Sequence, residues 1–253
     1  MRSDGTVSDR TRAALDGLRD AGIALLLVTG RPPRWMHMIA EQTGHSGVAL
    51  VANGAGVYDL ATEQLTRTDP LSPEAATEVA ARITAAVPDA VLAGESGLTF
   101  YREAAYRSDY QDLPGTRIVA RQAVTAQPLL KLLVRTPSHD ADALLAAGRA
   151  VVTEDLATLT HSSSGGLLEI SAAGVSKASG LARAASELGV NATEVIAFGD
   201  MPNDLPMLGW AGRSYAVGNA HPEVAALATA RTASNDDDGV ALVLERLLRG
   251  EPV

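Results

Sequence analysis

Cysteine is absent from this sequence of 253 residues, and aromatic residues make up only 4% of it. The absence of cysteine excludes disulfide bonds, thiolate zinc sites and catalysis by a thiol. No run reaches the roughly 18 apolar residues that a transmembrane helix needs, so we predict no membrane span. The N-terminus shows no basic stretch followed by an apolar segment, so we predict no secretory signal peptide. These absences together favour a cytoplasmic protein.

An excess of positive charge is also lacking, because the formal net charge at pH 7 is −9. An acidic protein repels the phosphates of nucleic acids and anionic lipids, so neither is expected as the main partner. A small anionic metabolite needs only a local cluster of positive charge and remains compatible. Hydrophobic residues form 46% of the chain, which at this length indicates a globular protein of one large or two modest domains. Nothing in the sequence indicates the oligomeric state.

The arrangement of apolar segments predicts an α/β fold with an inserted domain. Nearly continuous apolar runs that end in small or polar residues, each followed by a helical pattern, are typical of parallel strands buried on both faces. They are IALLLVTG, VALVANGAG and VIAFGD. From about Leu71 to Gly165, strands and helices follow one another without strict alternation, which indicates an α+β unit. We therefore predict an α/β core formed by residues 1–70 and 166–253 and an α+β cap formed by residues 71–165.

Candidate ligand-binding residues follow two of the predicted core strands, where an open α/β sheet binds its ligands. Thr29, Gly30 and Arg31 stand between a strand and a helix, where a hydroxyl and backbone N–H groups can hold a phosphate. Arg31 would add a charged fork. The alternative is an ordinary strand-to-helix turn. Asn53 follows the next strand and can bond a substrate hydroxyl, although Asn-Gly is foremost a turn signal.

Two further stretches carry charged candidates. Lys177 stands in the first turn of a predicted helix, where the helix dipole disfavours a cation. The position of Lys177 makes sense if its ammonium neutralises a phosphate and nearby carboxylates. The alternative is a lysine exposed to solvent. Asp200, Asn203 and Asp204 follow the apolar strand VIAF, and hard oxygen ligands of this kind suit Mg²⁺. Helix capping alone explains Asn203 or Asp204, but it does not explain Asp200 at a buried strand end.

Taken in order, the chain carries a strand followed by TGR, an insert, a lysine at a helix start, and a strand followed by GDxxND. This set resembles the haloacid dehalogenase (HAD) superfamily of phosphatases over nearly the whole chain. It is most similar to the Cof-type branch, whose α+β cap lies between the threonine and lysine motifs. The resemblance implies a parallel Rossmann-like core and hydrolysis of small-molecule phosphomonoesters with Mg²⁺ as the cofactor.

The resemblance also implies roles for the matching positions. Catalytic roles fall on Thr29, which would bond the transferring phosphoryl group, and on Lys177, which would stabilise its charge. Asp200 and Asp204 would serve the metal. The substrate-binding positions would be Gly30, Arg31, Asn53 and Asn203. A sugar phosphate, a nucleotide or a cofactor phosphate would each suit the family as a substrate.

One part of the family pattern is missing, namely the Asp-x-Asp-Gly-Thr motif whose first aspartate attacks phosphorus. The triplet Asp4-Gly5-Thr6 matches only the motif's tail, and Arg2 occupies the nucleophile position. No buried strand precedes the triplet, and Val7 alone separates it from the helix cap predicted at Ser8. A minimal flap hairpin at this point needs roughly ten residues. We therefore interpret the triplet as a turn and expect the first strand and its nucleophile to be missing.

Three explanations fit a missing motif: a start codon assigned too late, a shortened polypeptide, or a genuine loss of catalysis. Since the other motifs are intact, we favour the first two. The chain as written is then expected to be inactive and destabilised by unpaired strand edges. A non-catalytic binder of phosphorylated metabolites on the same fold is the alternative. A response-regulator receiver shares similar residues, but the long insert disfavours it.

Overall fold

The computed structural model describes residues 1–107, 114–163 and 165–253, whose strands form three sheets. The first core sheet has the order β1-β2-β3-β4 and the second core sheet the order β11-β12-β13, while the cap sheet has the order β7-β6-β5-β8-β10-β9. The strands are β1 Leu27–Val28, β2 Val48–Val51, β3 Gly56–Asp59, β4 Gln64–Thr68, β5 Val91–Ser96, β6 Thr99–Arg102, β7 Thr116–Ile118, β8 Lys131–Arg135, β9 Ala157–Thr160, β10 Leu167–Ala172, β11 Ile196–Gly199, β12 Arg213–Ala216 and β13 Ala230–Arg231.

Helices cover the sheets and begin and end close to the predicted positions. They are α1 Asp9–Asp20, α2 Met36–Thr43, α3 Pro73–Ala86, α4 Arg121–Thr125, α5 Ala141–Val151, α6 Lys177–Glu187, α7 Leu205–Trp210, α8 Pro222–Leu227 and α9 Gly239–Leu248. The predicted cap at Ser8 is confirmed, because its side chain accepts a hydrogen bond from the Thr11 N–H. Such a cap satisfies one of the free N–H groups of a helix start. No helix in the described part of the chain is long and apolar enough to cross a membrane.

The core strands have the predicted direction. β1 pairs with β2 in parallel, and β11, β12 and β13 are also parallel. A hairpin follows β2, formed by the antiparallel pairing of β3 with β4. The α/β fold class is therefore correct, and the carboxyl ends of β1, β2 and β11 carry the candidate residues.

The first core strand is shorter than its apolar run predicts. Of the run from Ile23 to Gly30, only Leu27 and Val28 are strand, and both pair with β2 on one side. β1 and β11 each stand at the edge of their own sheet, as shown by the strand orders. A cavity of about 920 Å³ separates them, and its walls include Leu25, Leu27, Ile196 and Phe198. The earlier residues of the run have no neighbouring strand to pair with, so they form no ladder. This limits β1 to Leu27 and Val28.

The cap sheet receives one strand that the sequence analysis assigned to the core. β10 pairs antiparallel with both β8 and β9, through partners such as Ile170 with Leu132 and with Leu159. Leu168 and Ile170 are fully buried against the apolar cluster of the cap. We therefore propose that the cap extends to about Ala172 rather than ending at residue 165.

The N-terminal triplet forms the turn that the sequence predicts. The Asp4 Oδ1 atom accepts hydrogen bonds from the backbone N–H of Thr6 at 2.9 Å and from its hydroxyl at 2.6 Å. The N–H of Gly5 donates to the carbonyl of Arg2, and Gly5 has φ +83°, a value that glycine adopts without strain. Asp4 is exposed, so the interpretation of this triplet as a turn is confirmed.

The run Asp236–Asp238 directly precedes α9, with Asp236 and Asp237 exposed, and two of its carboxylates also bind the N-terminal segment. Asp236 accepts hydrogen bonds from the backbone and side chain of Ser3. Asp238 accepts from Arg2 and Ser8 and makes no capping bond to α9. These contacts join the start of α9 to the N-terminal segment, since carboxylates accept strong hydrogen bonds from a nearby guanidinium or hydroxyl.

Candidate active site

The loop after β1 is shaped by backbone hydrogen bonds that fix Thr29. Its N–H donates to the Leu50 carbonyl at 2.8 Å, and its carbonyl accepts from the Asn53 N–H at 3.0 Å. Its side-chain Oγ1 accepts from the Arg31 N–H at 3.0 Å. Because the hydroxyl oxygen acts as an acceptor there, its hydrogen remains able to donate to a ligand oxygen. Thr29 thus stands at a strand end with a donor available to an anion.

Lys177 is the first residue of α6 and is buried. Its Nζ donates to Asp204 Oδ1 at 2.5 Å, and the side chains of both residues are largely shielded from solvent. The second oxygen, Asp204 Oδ2, accepts backbone N–H groups of Asp200 at 2.8 Å and Met201 at 3.1 Å. Both oxygens of Asp204 are therefore engaged within the protein. A buried charge held in this way keeps the ammonium in a fixed position.

Asp200 directly follows the carboxyl end of β11 and lines the 920 Å³ cavity. Asp200 has an exposed surface at the cavity, but incomplete hydration there and the negative charge of Asp204 raise the pKa of its carboxyl, and the ammonium of Lys177 opposes this shift. The N-terminal amine of Met1 lines the same cavity, and burial lowers its pKa. Asp200 is thus a carboxylate held where its charge lacks full hydration, and an added cation there would stabilise the charge.

Asn53 and Asn203 form a buried pair behind these residues. Asn53 has φ +60°, in the left-handed region that asparagine tolerates. Its Oδ1 accepts from Asn203 Nδ2 at 3.0 Å, and its Nδ2 donates to Glu169 Oε2 at 2.7 Å. Among the described residues, the buried Asn203 Oδ1 has no hydrogen-bond partner.

Glu169 of the cap sheet bonds to this pair, and it belongs to a set of buried charged residues that the sequence did not predict. Lys131 in β8 donates from Nζ to Glu169 Oε1 at 3.0 Å and to the Gly30 carbonyl at 2.6 Å. The guanidinium of Arg34 pairs with Glu95 in β5 at 2.9 Å, and this ion pair is also buried. The sequence did carry a signal for Lys131 and Glu169. Each is a single charged residue within an apolar strand, LLKLLV or LLEIS. Such a residue is rarely buried without a partner.

The predicted site residues gather around two adjoining cavities. Thr29, Arg31, Asp200 and Asp204 line the larger cavity, which Lys177 also reaches. Lys177 lines a second cavity of about 430 Å³ as well, together with Asn53 and Asn203. Gly30 lies between the polar groups, since a Cβ on it would come within 2.9 Å of Asn53 Oδ1 and 3.2 Å of Asn203 Nδ2. Glycine is therefore required there for the close approach of side chains.

The side chains present fit a hard divalent cation. Asp200 supplies an accessible carboxylate on the larger cavity, and Asn203, which lines the second cavity, supplies a buried amide oxygen that lacks a donor. Both are ligand types that Mg²⁺ accepts, together with water. Within the described residues, no group of three or more His, Cys, Asp or Glu is arranged to hold a metal ion. A Mg²⁺ ion here would thus depend on further oxygen ligands, such as water or a phosphate.

Comparison with known families matches residues 1–244 to one family, described as haloacid dehalogenase-like hydrolase. The chain is 26% identical over 249 residues to the 5-amino-6-(5-phospho-D-ribitylamino)uracil phosphatase YitU of Bacillus subtilis (strain 168), covering 97% of this chain and 92% of that protein. It is 28% identical over 233 residues to the HMP-PP phosphatase of Klebsiella pneumoniae (strain 342), covering 89% of this chain and 83% of that protein.

A solved structure is similar over almost the whole length. The protein SMU.1108c from Streptococcus mutans UA159 superposes with a TM-score of 0.86 at 22% identity, covering 98% of this chain and 95% of that one. At this identity the likeness establishes the fold alone. It includes both the core and the cap, because the match spans both.

Proposed function

Since the chain belongs to the haloacid dehalogenase-like hydrolase family, we propose that it acts as a Mg²⁺-dependent phosphatase on small-molecule phosphomonoesters. The observation that carries this proposal is the convergence of Thr29, Lys177 and Asp200 on one cavity at the carboxyl ends of β1 and β11. These three side chains offer a hydroxyl donor, a buried cation and a metal-binding carboxylate. This combination suits the binding of a phosphoryl group and the stabilisation of its charge.

Each residue would contribute a separate interaction to phosphoryl transfer. Thr29 would donate its hydroxyl hydrogen to a phosphoryl oxygen, and Lys177, held by Asp204, would balance the developing negative charge. Arg31 would add a guanidinium at the cavity wall. Bound Mg²⁺ would neutralise phosphate charge and orient the ester. Asp200 would be its ligand, while Asp204, whose two oxygens are already hydrogen-bonded, would position Lys177 and the loop.

We further propose that an extended segment carrying the nucleophilic aspartate fills the 920 Å³ cavity in the full-length form. The cavity is bordered by two edge strands, β1 and β11, that face it with unpaired backbone. Leu25, Leu27 and Ile196 would pack against its side chains. A strand inserted there would complete one continuous sheet and end beside Thr29 and Asp200. Its carboxylate would attack phosphorus and expel the alcohol of the ester, and water would then hydrolyse the aspartyl-phosphate to inorganic phosphate and the free aspartate.

The proposed substrates are small phosphorylated metabolites such as a sugar phosphate, a nucleotide or a cofactor phosphate. The two curated relatives reported above are named as phosphatases, one of them for a phosphorylated ribitylaminouracil. The second cavity, about 430 Å³, lies between Lys177 and cap residues such as Arg149 and Thr158. Cavities of this size hold small organic ligands. We place the leaving group there, and a cytoplasmic location remains a prediction from the sequence.

The alternative is a non-catalytic protein that binds phosphorylated metabolites with the same residues. The absence of an attacking carboxylate next to Thr29 in the described structure favours this alternative for the chain of 253 residues itself. Arg2 cannot attack phosphorus, because a guanidinium has no available lone pair near neutral pH. Its side chain is instead paired with Asp238 at 3.1 Å.

The test compares phosphate release from para-nitrophenyl phosphate by two purified proteins, in the presence of Mg²⁺. One is the 253-residue chain, and the other carries the residues encoded upstream of Met1. We expect turnover only in the longer protein, together with an aspartyl-phosphate trapped by acid quench. Asp200→Ala in the longer protein should abolish turnover. Asp20→Ala, which removes an exposed carboxylate at the end of α1, is the matched control and should have no effect.

Two results would contradict the proposal. Full Mg²⁺-dependent turnover by the Asp200→Ala variant would show that the metal is held elsewhere. Turnover by the unextended chain, free of contaminating phosphatase, would show that another carboxylate attacks phosphorus. An in-frame stop codon directly upstream, with phosphate binding but no turnover, would favour the non-catalytic alternative.

A further inference from the structure

The second cavity, of about 430 Å³, lies between the core and one edge of the cap sheet. Its core side includes Asn53, Lys177 and Asn203, which belong to the candidate active site. Its cap side includes residues of β9 and β10, the last two strands in the order of the cap sheet. A group attached to a phosphate at Lys177 can therefore lie against these two strands.

Three hydroxyl side chains of β9 and β10 share one face of the cap sheet. Thr158 and Thr160 are two positions apart in β9, so their side chains lie on the same face. Ser171 stands directly opposite Thr158, and Glu169 stands opposite Thr160. Opposed residues of an antiparallel pair also share a face. Because Glu169 bonds to Asn53 of the core, this face is turned toward the core. We call Thr158, Thr160 and Ser171 the hydroxyl row.

The hydroxyl row is free to bind a ligand. All three residues line the second cavity, and within the described part of the chain none of their hydroxyl groups bonds to another protein group. Ser171 is only 2% exposed, and a polar group so nearly buried costs free energy unless a partner satisfies it. Since a hydroxyl both donates and accepts, the row matches ligand groups that do the same. The hydroxyl groups of a polyol or a sugar have this property.

The remaining walls of the cavity suit neither an aromatic ring nor a second anionic group. Among the described residues that line it there is no aromatic side chain, so a ring such as a nucleobase finds no surface on which to stack. Arg149 and Glu154 line it with opposite charges, and both are exposed. Lys177 is already paired with Asp204. The cavity therefore offers no excess positive charge beyond the phosphate site.

We propose that the hydroxyl row determines specificity by binding the hydroxyl groups of an uncharged polyol or sugar, which is the alcohol released from the phosphate ester. The preferred substrates are then polyol or sugar phosphates, while nucleotides and aryl phosphates are disfavoured. This inference rests on the proposed function, because it concerns the leaving-group side of the same site. It narrows the three substrate classes proposed above to one and assigns the residues that select it.

The experiment is a calorimetric titration of the 253-residue protein with sorbitol 6-phosphate, phenyl phosphate and inorganic phosphate, each in the presence of Mg²⁺. Because this chain lacks the attacking carboxylate, the two esters are expected to bind without being hydrolysed. One hydrogen bond typically changes an affinity by about 2- to 12-fold. Since several hydroxyl groups of the row contribute, the wild type should bind sorbitol 6-phosphate at least about 10-fold more tightly than phenyl phosphate.

Variants that remove single hydroxyl groups with little change of shape test the row directly. Thr158→Val and Ser171→Ala should each weaken the binding of sorbitol 6-phosphate by about 2- to 12-fold. Neither should weaken the binding of phenyl phosphate or inorganic phosphate, which carry no hydroxyl group into the cavity. When Thr160→Val is added, the triple variant should bind the two esters with affinities within about 3-fold of each other. A variant that merely loosens the fold would weaken all three ligands alike.

Thr99→Val is the matched control. Thr99 is also a half-buried threonine of the cap sheet, but it belongs to β6, on the far side of β5 and β8 from the row. It is not among the described residues that line either cavity. Its affinities for the three ligands should equal those of the wild type. A loss of sorbitol 6-phosphate binding in Thr99→Val as large as that in Thr158→Val would overturn the assignment of the row.

The outcomes separate this inference from the proposed function. If the wild type binds inorganic phosphate but binds the two esters equally well, the inference is wrong and the phosphate site stands. Weakening of all three ligands by the same factor in Thr158→Val and Ser171→Ala also overturns it. If the wild type binds none of the three ligands, the proposed phosphate site fails and the inference fails with it.

Discussion

Gly54 marks the closest approach between the loop after β2 and the start of α6, and we expect Gly54→Ala to destabilise the protein strongly. Its φ is +90°, and a Cβ built on it would lie 2.4 Å from the carbonyl oxygen of Ser176. That contact is with backbone, which cannot rotate away. Since Ser176 caps the helix that begins at Lys177, the added methyl group is accommodated only if the start of α6 moves.

The magnitude follows from two costs. A residue with a Cβ in the left-handed region costs about 1–2 kcal/mol, and overpacking a close contact costs about 1–3 kcal/mol. The free energy of unfolding should therefore fall by about 2–5 kcal/mol. At about 2–4 °C per kcal/mol for a chain of this size, the midpoint of thermal unfolding should fall by roughly 4–20 °C. Displacement of Lys177 should also weaken phosphate binding.

Gly22→Ala separates the two costs. Gly22 has φ +69°, but a Cβ there would meet no atom within 4 Å. This control should lose only the conformational cost of about 1–2 kcal/mol and retain its phosphate affinity. Urea unfolding followed by circular dichroism, with phosphate titration of each variant, makes the comparison. Equal stability and equal phosphate affinity in the two variants would refute the close packing of the loop against α6.

Three further predictions follow from single contacts. Asp200→Asn should raise the midpoint of thermal unfolding at pH 7 without divalent cations. The raised pKa of Asp200 means that its ionisation destabilises the folded state, an effect that appears as pH rises through the raised pKa. The advantage of Asp200→Asn should therefore disappear below the ordinary aspartate pKa, and a constant advantage from pH 3 to 7 would contradict this cause. Lys177→Met should cost about 3–5 kcal/mol in urea unfolding, because it leaves the buried charge of Asp204 without its partner. Adding Asp204→Asn should recover part of that loss, and equal stability of Lys177→Met and wild type would contradict the buried pair. Asp4→Asn should change stability by less than about 0.5 kcal/mol, as exposed positions do, and should leave turnover of the extended protein unchanged. A loss of several orders of magnitude in turnover would instead make Asp4 the general acid.

The sequence predicted the elements that follow from local patterns. The start of α1 was readable at Ser8, because a capping side chain followed by an apolar stripe acts within one turn. The parallel strands β2 and β11 were readable from apolar runs too short for helices. The turn at Asp4 was readable because its hydrogen bonds join residues two positions apart.

Predictions that depend on distant partners were incomplete. β10 was assigned to the core, because an apolar strand before a helix fits the α/β pattern equally well. Its pairing with β8 depends on residues far away in the chain. The partners of Asp238 and Asp236, which are Arg2 and Ser3, lie at the other end of the chain, so no local pattern indicated these contacts. Local periodicity carries no information about such partners.

The sequence by itself determined the α/β class and the placement of Thr29, Lys177 and Asp200 at element ends, because these depend on short-range periodicity and spacing. Only the tertiary structure revealed how the buried polar groups are joined. The series from Lys131 through Glu169 and Asn53 to Asn203 crosses from the cap to the core. The bond from Asn53 to Glu169 and the bond from Lys131 to the Gly30 carbonyl form only when the two parts of the chain pack together. Burial then makes each bond obligatory, because an unpaired polar group inside a protein cannot turn to water.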